Sequence, residues 1–187
     1  PNPYRFDVVP IELLGGIYER YLGKRLRVVG NEVTDEYKPE YQRTKGAIYT
    51  PQWVVQRVVE KALSPLTRGK TPDELLRLRI LDPACGSGSF ILGVYDYLEK
   101  LILSWFAKHP QDRRKTHFIA ETDDGIWLSP EVAREIINNC IYGVDIDAEA
   151  VEVARMSLSL RYLERTVALS GEPHLLLKGI GLNIRHG

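Results

Sequence analysis

ILDPACGSGSF, residues 80–90, places an apolar run, an Asp-Pro step and three small residues directly before Ser-Gly-Ser and a long apolar segment. Arg79 to Asp82 reads as a short buried strand. Ser89 to Phe106 reads as a helix, because Ile91, Val94, Tyr95, Leu98, Leu101, Ile102 and Trp105 recur at helical spacing. Small residues between a strand and a helix let the backbone turn sharply and let a ligand lie almost against it. Gly86 and Gly88 fit that role, and the amides that enter the helix can face an anionic group. A glycine-rich turn that serves packing alone explains this motif, taken in isolation, equally well.

The next apolar run shifts that balance. Cys140 to Asp145 (CIYGVD) is expected as a second strand, and Asp147 as the cap of a helix whose buried face is Val151, Ala154, Leu158 and Tyr162. Leu182 to Arg185 is expected as a third strand. Strand, helix, strand, helix, strand is the order of a parallel sheet with crossover helices. Asp145 then lies at a strand's C-terminal end, where open α/β sheets bind ligands, and a carboxylate there can accept from both hydroxyls of a ribose. Alone, either Asp145 or Asp147 is more often a helix cap. A small-residue turn paired with a strand-end acid points to a ribose-containing cofactor. A dinucleotide site would want GxGxxG with an acid about 20 positions on, whereas here no third small residue follows and the acid comes about 60 positions later. An insertion at 107–130 could stretch that spacing. The residue chemistry therefore reaches an adenosine-type cofactor, with the dinucleotide reading disfavoured.

Working outward, residues 11–22 (IELLGGIYERYL) place Leu14, Tyr18 and Tyr21–Leu22 on one helical face despite Gly15-Gly16. Residues 30–45 read as a polar loop. TPQWVVQRVVEKAL starts a helix with Thr50 as N-cap and Pro51 at the first position, its buried face being Val54, Val55, Val58, Val59 and Ala62. Residues 64–72 read as a connection and 107–130 as an insertion loop, whose basic residues are expected to be solvated rather than bound to phosphate. In SPEVAREIINN, Ser129 caps and Pro130 opens another helix.

The composition, 44% hydrophobic and 27% charged over 187 residues, is that of a folded domain with a small appendage. Lys plus Arg balance Asp plus Glu at 25 each, so a wide grip on nucleic acid is not carried here. No apolar run approaches the roughly 20 residues of a membrane span, and the N-terminus has no signal-peptide pattern. Two cysteines, Cys85 and Cys140, are too few for a disulfide framework and point to a reducing cytoplasm. The four histidines are scattered, and no metal-ligand spacing is visible.

Together these segments resemble the N6-adenine DNA methyltransferases of the restriction-modification type (type IIG enzymes and type I modification subunits). DPACGSGSF resembles their S-adenosylmethionine (AdoMet) motif, YGVDIDAEAVEVARMSLSL their acidic-loop motif, and KGAIYTPQWVVQRVV the motif over the methionine end of the cofactor. PIELLGGIYERYL resembles the helix that precedes it. The resemblance implies a Rossmann-like α/β fold with helices on both faces of a partial parallel sheet: a helical lead-in over 1–45 and the N-terminal half of an AdoMet-binding domain over 46–187. It also implies roles. Asp82 fixes the turn or receives the cofactor's amino group, and Ala84, Cys85 and Gly86 line the methionine arm. Tyr49 and Thr50 contact the amino-acid end, Asp145 holds the ribose, and Ile146 packs on the adenine. For Tyr49 a core aromatic and for Thr50 a plain N-cap are the simpler readings. Cys85 reads as a packing residue, since no partner histidine is evident.

The family's catalytic motif, Asn/Asp-Pro-Pro-Tyr/Phe, occurs nowhere in the 187 residues. The expectation is thus a fragment that supplies the methyl-donor half of a site and no catalytic residue. Double-stranded DNA would be engaged mostly by regions outside this chain, with base readout in a target-recognition domain. The target adenine would be flipped out of its duplex. The Arg79–Asp82 strand would be left on an open edge, which favours dimerisation or low stability. A methyltransferase acting on protein glutamine or RNA, and a non-catalytic AdoMet-like module, are the alternatives.

Overall fold

The computed structural model describes residues 11–18, 24–37, 50–115, 118–122, 125–170 and 179–187. Its centre is a three-stranded parallel sheet of β3 (Ile80–Asp82), β6 (Ile141–Asp145) and β7 (Ile184–His186), in the order β3–β6–β7. Register pairs Ile80 with Ile141 and Asp82 with Gly143, then Gly143 with Ile184 and Asp145 with His186. Neighbouring residues in register share a face, so Ile80, Asp82, Ile141, Gly143, Asp145 and Ile184 lie on one side.

That side is covered by the two crossover helices, α4 (Ser89–Lys108) and α6 (Ala148–Ser170), which pack on β6 and on each other. The expected apolar stripes form the core: Ile91, Tyr95, Leu98 and Ile102 of α4, and Val151, Ala154, Leu158 and Tyr162 of α6 are all buried. Each such large apolar side chain contributes about 1.5–3 kcal/mol. The Arg155 guanidinium of α6 donates from Nε and Nη2 to the Ile184 carbonyl, at 2.9 and 2.6 Å, and fastens β7 to the helix. The opposite side carries Leu81, Tyr142, Val144 and Arg185. Leu81 there is 60% exposed. Among the described residues β3 is also an edge strand, as the strand order of the resembling family implied.

Several boundaries differ from the sequence expectation. α2 (Gln52–Thr67) begins one residue later than expected: Pro51 holds the cap position in extended conformation, and its carbonyl accepts from Val54 and Val55. Thr50 is therefore not the N-cap. Val58 and Ala62, expected to be buried, are exposed beside Leu81, while Val55, Val59 and Leu63 pack inward. The helix continues through Pro65 into the stretch expected as a connection. Proline in the final turn removes a single intrahelical bond, and the Thr67 hydroxyl donates to the Leu63 carbonyl at 3.0 Å. A short helix, α3 (Pro72–Leu75), follows, with the Glu74 carboxylate accepting from the Thr71 amide and hydroxyl.

The segment expected as a helical lead-in contains α1 (Glu12–Ile17) and also a hairpin, β1 (Lys24–Val29) with β2 (Glu32–Tyr37), turning at Gly30-Asn31. Part of the loop expected at 30–45 is thus strand. The 107–130 stretch is likewise structured: a 3₁₀ segment over Pro110–Lys115 and a hairpin of β4 (Ile119–Thr122) and β5 (Gly125–Leu128). Buried Phe118 and Leu128 anchor that hairpin, with the Phe118 ring 5.7 Å from Phe106 of α4. α5 (Pro130–Glu135) is capped by Ser129, whose hydroxyl accepts from the Val132 amide. It widens into a π turn over Ile136–Cys140, where Asn138 accepts from the Gly181 amide at 3.3 Å and so holds the approach to β7.

Candidate cofactor site

Two loops meet at the C-terminal ends of β3 and β6. In the first, Pro83 to Gly88, the chain turns through two left-handed residues, Gly86 at φ 53° and Gly88 at φ 94°. Gly88 is fixed twice over, because a Cβ there would also stand 2.9 Å from the Ala154 Cβ of α6. The Cys85 amide donates to the Val144 carbonyl at 2.9 Å, tying this turn to the neighbouring strand. Gly143 leaves the room Cys85 occupies, since a Cβ at 143 would come within 3.1 Å of its sulfur. Cys85 is 5% exposed, and its thiol is pushed up to about 12 by burial and then by the Asp145 and Asp82 carboxylates. That thiol is no nucleophile at neutral pH, in agreement with its reading as a packing residue.

In the second loop, Asp145 to Asp147, the Asp145 carboxylate is held from both sides. Oδ2 accepts from the Gly86 amide at 2.8 Å and Oδ1 from the Asp147 amide at 2.9 Å. Each carboxylate oxygen has two lone pairs, so one per oxygen remains beyond these two bonds. The group is half-buried and oriented, which suits it to accept from two adjacent hydroxyls at once. Asp147 caps α6 as expected, its Oδ1 accepting from the Glu149 and Ala150 amides at 3.0 and 3.4 Å. Ile146 between them is 73% exposed.

Asp82 lies on the same side of the sheet. Its Oδ1 accepts from the Ala84 amide at 3.1 Å, so it fixes the turn. Its carboxyl is raised above the ordinary carboxylate value, mainly by burial and further by Asp145, against the lowering effect of the Ala84 amide. Two neighbouring carboxylates favour a ligand with positive charge.

The structure thus brings Asp82, Ala84, Cys85, Gly86, Asp145 and Ile146 together. Thr50 stands just before α2, whose Gln52 lines a small cleft with Ser87 and Ser89, so it is carried toward the glycine turn. Tyr49 lies outside the described residues. Two residues absent from the sequence reading of the site also hold its loops. The Tyr18 hydroxyl donates to Asp147 Oδ2 at 2.6 Å, and the His186 Nε2 donates to the Ile146 carbonyl at 3.0 Å. A tyrosine on an apolar helical face was the one signal for Tyr18, because a buried hydroxyl requires a partner. Among the described residues there is no cluster of three metal-ligating side chains, and no helix long and apolar enough to cross a membrane.

Comparison with known proteins bears on what such a site serves. The type II restriction enzyme and methyltransferase RM.Eco57I of Escherichia coli is 30% identical across the whole chain, which spans 18% of that protein. A putative type II restriction enzyme and methyltransferase of Methanocaldococcus jannaschii, RM.MjaORFECS2P, is 35% identical over 62% of the chain and 9% of its own length. The adenine-specific methyltransferase BrxX of Escherichia coli O9:H4 is 21% identical over 95% of the chain and 15% of its own length. The chain therefore spans less than a fifth of the curated relatives it matches. The model of the N-6 DNA methylase family matches residues 11–171, taking in α1, the glycine turn, the acidic loop and α6, and the chain belongs to that family.

Proposed function

We propose that this chain is the AdoMet-binding portion of a DNA methyltransferase that methylates N6 of adenine within a specific sequence, in a restriction-modification system. The observation that carries the reading is the Asp145 carboxylate, pinned by the Gly86 and Asp147 amides with a lone pair left on each oxygen. The three-stranded parallel sheet, with ligand loops at its C-terminal ends, supports a Rossmann-like methyltransferase fold. Residues 46–187 then form the N-terminal half of that domain, and 1–45 a lead-in.

AdoMet, when bound, supplies an electrophilic methyl group on a sulfonium centre. Asp145 would hold its ribose, and exposed Ile146 would lie flat on the adenine. Ala84, Cys85 and Gly86 would line the methionine arm, where Gly86 keeps side chains clear of the backbone. Asp82 uses Oδ1 for the turn and keeps Oδ2 for the cofactor's ammonium group. Tyr49 and Thr50 would contact the amino-acid end. The carboxylates of Asp82 and Asp145 complement the ligand's positive charge. Binding and orienting the donor is thus this chain's contribution, and positioning for in-line transfer is where much of the acceleration arises. The acceptor side, including the Asn/Asp-Pro-Pro-Tyr/Phe loop, would be supplied by a longer parent protein that engages duplex DNA through a target-recognition region.

Calorimetric titration with AdoMet tests the reading. The folded wild-type chain should bind one equivalent, and Asp145→Ala should weaken binding about 100-fold through the loss of two charge-assisted hydrogen bonds. Equal affinity in the two, or no binding by the folded wild type, would overturn it.

A further inference from the structure

α1 precedes the sheet by more than sixty residues, yet it touches both cofactor loops. Tyr18 is 1% exposed, and its hydroxyl reaches Asp147 Oδ2 at 2.6 Å, a short charge-assisted bond between groups 129 positions apart. Asp147 is thereby gripped at both oxygens, with Oδ1 held by the first amides of α6. Its own amide donates to Asp145 Oδ1 at 2.9 Å, so the backbone of Asp147, held in place through its side chain, sets the direction in which the Asp145 carboxylate is presented. One turn earlier, Gly15 lies against the other loop. A Cβ at Gly15 would stand 2.7 Å from the Ser87 Oγ and 3.4 Å from its Cβ. Ser87 is 2% exposed and sits between the two left-handed glycines, so a larger residue at 15 would have to turn the Ser87 hydroxyl aside within a buried contact or shift the helix from the turn.

From these contacts we infer that α1 is a brace spanning the two cofactor loops, with Tyr18 a positioning residue that aims the Asp145 carboxylate through Asp147, and Gly15 the seat that fixes the helix on the glycine turn. The inference rests on the reading of Asp145 as the ribose acceptor. Its chemistry is directional. A carboxylate that must accept from two vicinal hydroxyls is sensitive to a small rotation, whereas packing against an adenine or a methionine chain is far less so. Losing the Tyr18 hydroxyl should therefore weaken the hold on the ribose and leave the rest of the ligand's contacts intact.

The test compares AdoMet with its analogue lacking both ribose hydroxyls, titrated calorimetrically into the 187-residue chain as wild type, Tyr18→Phe, Gly15→Ala and Asp145→Asn. Tyr18→Phe retains the ring and removes only the donor. It should bind AdoMet about tenfold more weakly than wild type, the cost of one hydrogen bond to a charged group, and bind the dideoxy analogue unchanged. Gly15→Ala should show the same ligand selectivity. An equal loss for both ligands would mean that α1 merely stabilises the fold, and no loss for either would mean that Tyr18 does not act on Asp145; each result overturns the inference. Should Tyr18→Phe prove unfolded by circular dichroism, Gly15→Ala decides on the same criterion. Wild type and Asp145→Asn separate this inference from the reading beneath it. If wild type binds AdoMet and Asp145→Asn does not, a failure in the Tyr18 and Gly15 variants falls on the brace alone.

Discussion

Asp82 and Asp145 lie on the same side of the sheet, close enough for the charge of Asp145 to act on Asp82. The Asp82 carboxyl is raised above its ordinary value of 3.8, mainly by burial and further by Asp145, against the lowering effect of the Ala84 amide. A raised carboxyl in the folded state binds its proton more tightly than in the unfolded chain. Its contribution to stability is therefore present below the unfolded value and is lost as the pH rises through the folded one. A cationic ligand reverses the preference, because it favours ionised Asp82. AdoMet affinity should fall as the solution is acidified through the raised value toward 3.8, and binding in that window should release protons. Titration in buffers of different ionisation enthalpy counts those protons; Asp82→Asn should release fewer, and an unchanged count would rule out the assignment. At this scale the sequence was legible where a residue's partner is near in the chain or dictated by an element end. Asp82, Gly86, Asp145 and Asp147 follow directly from strands that end in a turn. Tyr18 and His186 were not, because their partners lie 129 and 40 positions away and only the packed fold brings them together.

The elements sort by how much they bury. α4 and α6 carry continuous apolar stripes that end in the core, and their sequence periodicity located them without the structure. The hairpins left a weaker signature. In β1 and β2 the alternating residues Leu26, Val28 and Val33 are all more than 60% exposed, so the pattern reflects local pairing rather than burial. The Gly30-Asn31 turn, Gly30 at φ 65°, was the local signal, and it stood at the boundary of the stretch taken as loop. α2 shows the opposite case. Its apolar residues are real but form two faces, one packed on α4 and one, Val58 and Ala62, left open beside Leu81. β3 is thus an edge strand flanked by exposed apolar side chains, a template for pairing. The isolated chain should self-associate in a concentration-dependent way. Leu81→Lys should shift it toward monomer in sedimentation velocity without changing AdoMet affinity, since Leu81 points away from the face that carries Asp82 and Asp145. A wild-type chain that remains monomeric at high concentration would show that this edge is already guarded.

At the scale of the whole molecule, the loops of the candidate site gather at one set of strand ends, above the sheet face on which the two long helices pack. The glycine turn and the acidic loop meet there through the bond from the Gly86 amide to Asp145, while Leu81 lies exposed on the opposite face of the sheet. The sequence carries 25 basic against 25 acidic residues, so it has no net charge with which to steer a polyanion. The resemblance legible in the sequence reached the family.

The two cysteines mark opposite ends of the central strand, Cys85 packed over its C-terminal half and Cys140 just before its start. Both are buried, with thiols pushed up to about 12 and about 11, chiefly by burial. Cys140 also donates to the Leu76 carbonyl at 3.4 Å. Neither should react with a maleimide at neutral pH while its surroundings stay closed, so the rate at which each is alkylated becomes a clock for local opening. Read site by site in a mass spectrometer, the pair would report separately on the breathing of the cofactor end and the distal end. Occupancy of the cleft should slow the clock at Cys85 and leave the one at Cys140 running at its former pace.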